Sequence, residues 1–113
     1  MKYIVAIIQP DRLDAVLDEL ESNGIHLVTV SNVMGRGRQR GVAEVYRSHK
    51  EIGSLLRKTK LEIAVNEDYV ETTIETIVNS TCTGETGDGK IFVIDLKECV
   101  RIRTKERGNI AIG

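Results

Sequence analysis

Glycines alternating with arginines are the first residues of this chain whose types and spacing suggest chemistry. The run Gly35-Arg36-Gly37-Arg38-Gln39-Arg40-Gly41 sets flexible backbone between long cations. Glycines let successive N–H groups turn toward one anion, and guanidinium groups can close the cage around it. The run has neither the GxxxxGK[ST] order nor the GxGxxG spacing, and locally it serves equally well as a solvated basic hairpin. A second run, Thr83-Gly84-Glu85-Thr86-Gly87-Asp88-Gly89-Lys90, offers glycine amides for phosphate oxygens and Lys90 as a point charge. Read locally, Asp88-Gly89 is also a common turn pair. Arg101 and Arg103 stand at i and i+2, as do Lys58 and Lys60. On a strand each pair would share one face, where it would suit phosphate or protect a sheet edge.

Other chemistries find no constellation. His26 and His49 have no metal-ligand spacing, and Ser48, Ser54 and Ser80 have no partner histidine in a recognisable motif. Cys82 and Cys99 form no CxxC, so neither a zinc site nor a disulfide framework is suggested, and the expected setting is reducing cytoplasm.

The elements that must position these residues follow from periodicity. Residues 2–9 are a β-rich apolar run and read as a buried strand. Pro10 can open a helix, Leu13, Val16, Leu17 and Leu20 give it one apolar face, and Gly24 ends it. Residues 25–34 read as a second strand and 58–65 as a third, with Leu61, Ile63 and Val65 on one side. Asn66 can cap a second helix whose apolar face is Val70, Ile74, Ile77 and Val78. A turn-rich link leads to a fourth strand at 91–96, and 100–104 can extend as a short strand. The order is that of an α+β, ferredoxin-like βαββαβ sandwich, with helices on one sheet face. The link between the second and third strands exceeds the usual length inside a compact domain, and loops of that kind are commonly functional.

Composition narrows the class. The 113 residues allow one domain, 1–113, at 41% hydrophobic and 29% charged. A formal net charge of −1, and arginines without interleaved aromatics, argue against nucleic-acid binding. No apolar run approaches a bilayer span, and MKYIVAIIQPD reads as a first strand rather than a leader. With three Tyr, one Phe and no Trp the core is small, and oligomerisation is a common remedy.

Five segments together resemble the PII signal-transduction family: GRGRQRG at 35–41, AEVYR at 43–47, KTKLEIAV at 58–65, TGETGDGKIFV at 83–93 and VRIRT at 100–104. The likeness runs over nearly the whole chain. It implies a cytoplasmic homotrimer whose clefts bind ATP or ADP, with a T-loop at about 37–55, a B-loop at 82–90 and a C-loop at 101–113. Carried over by position, Gly35, Gly37, Arg38, Gln39, Gly87, Asp88, Gly89, Lys90, Arg101 and Arg103 would hold the nucleotide, the last two from a neighbouring subunit. Thr29 and Ala64 would lie near the adenine. With Mg²⁺ and ATP in place, 2-oxoglutarate would chelate the metal beside Gln39, with Lys58 on its far carboxylate. Gly37, Arg40, Gly41 and Gly87 would complete that site.

The resemblance further implies a non-enzymatic regulator of nitrogen-metabolism proteins acting through the T-loop. An ammonium transporter or a nitrogen-assimilation enzyme would be the partner, and Arg47 a contact. Departures from the family pattern bear on regulation. Glu51 stands where many bacterial members carry a uridylylated tyrosine, and His49 where some cyanobacterial members carry a phosphorylated serine. Tyr46 is not the usual modified residue. Glu85 replaces a common lysine beside the nucleotide. Regulation by ligands alone is therefore expected. The alternative is a slow ATPase, with Asp88 or Glu62 as base, or an adenylate-only sensor of a specialised branch such as a nitrogenase-associated one.

Overall fold

In the computed structural model, which describes residues 1–37 and 55–113, four strands form one antiparallel sheet in the order β2-β3-β1-β4. The strands are β1 (Lys2–Ile8), β2 (Thr29–Gly35), β3 (Leu56–Val65) and β4 (Gly89–Asp95); the helices are α1 (Leu13–Ser22) and α2 (Val70–Thr81). This is the ferredoxin-like βαββαβ arrangement. β1 pairs with both neighbours in a register that sets Ile4 against Ile63 and Val93, and Ile7 against Lys60 and Lys90. Alternation then sorts the side chains. Ile4, Ala6, Ile8, Leu61 and Ile63 face the helices and are buried with Val16, Leu20 and Ile77. Tyr3, Val5 and Ile7 alternate with them and take the opposite face with Phe92 and Ile94.

The ends of the elements refine the periodicity. Pro10 opens a single 3₁₀ turn, Pro10–Arg12, and the α-helix begins only at Leu13. Gly24 has φ +83°, the left-handed geometry expected just past a helix end. β2 starts at Thr29 rather than at residue 25, β3 starts two residues earlier than expected, and β4 runs from Gly89 instead of 91. The Asn66 side chain does not cap α2. Its Nδ2 donates instead to the Asn109 carbonyl at 3.2 Å, and a 3₁₀ turn, Glu67–Tyr69, precedes the helix.

The buried face of α2 is less apolar than expected. Thr73, Thr76 and Thr81 are buried with Val70 and Ile77, while Val78 is largely exposed. Each buried threonine hydroxyl donates to the carbonyl four residues earlier, as Thr73 does to Tyr69 at 2.7 Å. A hydroxyl satisfied in this way enters a core with little desolvation cost.

The strand expected at 100–104 does not form. Val100 makes one isolated bridge, to Arg107, and the chain reverses between them with Lys105 at φ +64°. Two polar contacts favour the reversal: Glu106 Oε1 accepts from Arg101 Nη1 at 2.9 Å and from the Thr104 hydroxyl at 2.7 Å. One helical turn, Asn109–Ile112, follows and buries Ala111.

Candidate functional site

β-pairing brings the two glycine-rich runs to one end of the sheet. Ile8 pairs with Gly89 there, and Gly35 pairs with Leu56 at the matching end of β3. Between them opens a cleft of about 630 Å³. Its backbone wall is Gly35 and Gly37 on one side and Gly87 and Gly89 on the other; its cations are Arg36, Lys58 and Lys90. Ile7 and Phe92 form an apolar floor, and Thr86 adds a hydroxyl. Among the described residues lining it there is no carboxylate. Glycine amides with three cations over an apolar floor suit a polyanion carrying a flat, partly apolar group.

Of these glycines, Gly89 is required by its backbone and Gly35 is not. A Cβ at Gly89 would stand 1.9 Å from the Ile7 carbonyl oxygen, and its φ is +117°. The Gly35 backbone has room for a Cβ, with the nearest atom, Lys58 Cγ, at 3.7 Å, so the lysine stem lies over the glycine. Lys58 is 9% exposed, and burial pushes its ammonium below the ordinary lysine value of 10.5. It makes no ion pair among the described residues. A desolvated cation of this kind gains from an anionic ligand.

The loop that enters β4 is braced by its own carboxylate. Asp88 accepts from the Thr83 hydroxyl at 2.5 Å, the Thr83 N–H at 2.8 Å and the Gly84 N–H at 3.0 Å. These bonds, the Thr83 hydroxyl first, hold its carboxyl below the usual range, with a smaller pull from Arg12. A carboxylate so committed is a weak base. Glu62, the other candidate base, lies on β3 and accepts a hydrogen bond from the Tyr3 hydroxyl.

Of the residues singled out from sequence, Gly35, Gly37, Lys58, Gly87, Gly89 and Lys90 converge on this cleft. Asp88 borders a separate hollow, together with Gln9, Arg12 and Glu85. Thr29 pairs with Glu62 at the far end of β2, six residues from Gly35 and so roughly 20 Å away. Ala64 lines a second, smaller cleft at that far end, with Gly24, Leu27 and Gly113. Arg101 belongs to the same end: its Nη2 donates to the Ile110 carbonyl at 3.2 Å and lies 3.5 Å from where a Cβ on Gly113 would sit. Arg103 is exposed on the turn beside it. Arg38, Gln39, Arg40, Gly41 and Arg47, with Tyr46, His49 and Glu51, lie outside the described residues.

Sequence reasoning missed Ile7, Thr86 and Phe92. Counting in twos along β1 and β4 from the Ile7–Lys90 pair would have put Ile7 and Phe92 on the cleft face. Among the described residues no group of three or more His, Cys, Asp or Glu is placed to hold a metal. Nor is any helix long and apolar enough to cross a membrane.

Comparison with known proteins gives a consistent picture. The family model for nitrogen regulatory protein P-II matches residues 1–106. Nitrogen regulatory protein P-II 2 of Methanothermobacter thermautotrophicus is 53% identical over 112 residues, covering 99% of this chain and 97% of the relative. Nitrogen regulatory protein GlnK1 of Methanosarcina mazei is 47% identical, with the same coverage. A crystal structure of Arabidopsis thaliana PII bound to citrate superposes with a TM-score of 0.78 at 38% identity, over 97% of this chain and 87% of that one.

Proposed function

The chain belongs to the nitrogen regulatory protein P-II family, and from that premise we propose that it is a non-enzymatic sensor of ATP or ADP and of 2-oxoglutarate. The observation that carries this reading is the cleft in which Gly35, Gly37, Gly87 and Gly89 meet Arg36, Lys58 and Lys90. Gly87, Gly89 and Lys90 bind the phosphates, with Arg38 as a further cation to neutralise them. The described lining has no carboxylate of its own, so Gln39 would hold Mg²⁺ brought by the nucleotide through its neutral side-chain oxygen. When bound, the metal supplies the positive charge that lets 2-oxoglutarate share a site with a triphosphate. Lys58 pairs with the far carboxylate of that dianion, and Gly37, Arg40, Gly41 and Gly87 hold the near end. Citrate in the Arabidopsis structure is also a small carboxylate anion.

Each chain carries the site in two halves at opposite ends of the sheet. The phosphate end has Gly87–Lys90, while Thr29, Ala64, Arg101 and Arg103 lie toward the other end. A ring of copies, head to tail, joins one chain's phosphate loop to the next chain's adenine and arginine groups. We read the assembly as a homotrimer acting in the cytoplasm. Output is capture of a nitrogen-metabolism partner, such as an ammonium transporter or a regulatory enzyme, by the segment around 37–55 with Arg47 as a contact. Ligands act by favouring one state of that segment over another. The slow-ATPase alternative has less support, because Asp88 is committed to Thr83 and Gly84 and Glu62 to Tyr3.

The test is calorimetric titration of ATP into the protein and into Arg103→Ala. The expected result is saturable binding by the first and roughly tenfold weaker binding by the second, with the oligomer unchanged. Equal affinities would remove Arg103 from the site, and no binding by the unaltered protein would overturn the nucleotide reading.

A further inference from the structure

The loop walling the cleft is held by a residue that lies outside it. Gln9, between β1 and the Pro10 turn, donates its side-chain Nε2 to the Gly87 carbonyl oxygen at 2.8 Å. Among the described residues no other side chain outside residues 83–88 makes a hydrogen bond to that stretch; its remaining side-chain bonds are internal. Gln9 does not line the cleft; it lines the separate hollow, with Arg12, Thr83 and Asp88. A trans peptide sets its C=O and N–H in opposite directions. With the Gly87 carbonyl drawn back to Gln9, the N–H of Asp88 is turned away from Gln9.

We infer that Gln9 is a positioning residue for anion capture: by holding the carbonyl of Gly87, which lines the cleft, it keeps that oxygen from turning toward an anion bound there. Gly87 has φ +103° and no Cβ, so its peptide plane has little steric restraint of its own. Without the Gln9 bond the plane can rotate and aim a carbonyl oxygen, with its partial negative charge, at the phosphates. Gln9 can act in this way only if the cleft is the nucleotide site proposed above, so the experiment separates the two.

ATP is titrated into the unaltered protein, Gln9→Met and Gln9→Lys, each also melted as a control of folding. Met matches Gln in length but cannot donate, whereas Lys restores a donor. Gln9→Met is expected to bind roughly fivefold to tenfold more weakly, and Gln9→Lys to recover most of that, in low and in high salt, with similar melting transitions. The Asp88 amide resonance should shift on ATP addition in the unaltered protein and much less in Gln9→Met. Equal affinity of Gln9→Met and the unaltered protein overturns the role of Gln9 and leaves the nucleotide site standing. So does a Lys rescue that disappears in high salt, which is an effect of charge alone. Absence of ATP binding by the unaltered protein overturns the nucleotide site, and the role of Gln9 with it.

Discussion

Lys58 shows how a single residue can be bad for the fold and good for the site. It is buried over Gly35 with no ion-pair partner among the described residues, and burial lowers the pKa of its ammonium. Since its folded value lies below 10.5, the unfolded chain binds more protons between the two values. Its contribution to stability therefore rises with pH across that window and is most unfavourable below it. Lys58→Met should raise the neutral-pH melting temperature of the ligand-free protein and flatten its alkaline rise, and should abolish 2-oxoglutarate binding. A lower melting temperature in the variant, read by calorimetry across pH, would contradict this account of Lys58. The glycines and cations that meet in the cleft were legible in the sequence because each belongs to a local run. Gln9 was not, because its one informative contact is with a residue 78 positions away.

Elements position these residues through their ends. Gly89 starts β4 hard against the Ile7 carbonyl, so the glycine-rich loop passes straight into the sheet there. Gly89→Ala should cost about 3 kcal/mol or more in denaturant unfolding, through both the clash and the positive φ; a loss under about 1 kcal/mol would contradict the geometry. Deleting residues 42–53, which lie outside the described part of the chain, should leave ATP binding intact and remove partner capture. Pull-down with a P-II target protein checks this, and retained capture would move the interface elsewhere. The six main elements were legible because their apolar residues recur at periods of two and 3.6. The tail at 100–104 misled because β-branched Val100, Ile102 and Thr104 alternate like a strand. The Arg101–Glu106 pair and the left-handed Lys105 turn the chain instead. In α2, threonines are buried beside the expected Val70 and Ile77, since back-bonded hydroxyls bury as well.

At the scale of the molecule, the helices cover one sheet face and leave the other with Phe92 48% and Ile94 50% exposed beside Tyr3, Val5 and Ile7. An apolar sheet face, and a proposed binding site divided between two ends of the sheet, both point to assembly with further copies. Sedimentation should give the mass of three chains, and Phe92→Asp should shift the population toward smaller species. A monomer that still binds ATP with full affinity would contradict the shared site.

The central claim is that one cleft couples nucleotide to 2-oxoglutarate, and it is tested most directly by titrating 2-oxoglutarate into the protein with and without Mg²⁺ and ATP. The account predicts saturable binding only when both are present, lost in Gln39→Ala while ATP is retained. Binding of equal strength without nucleotide, or none with ATP and Mg²⁺ at saturation, would contradict it.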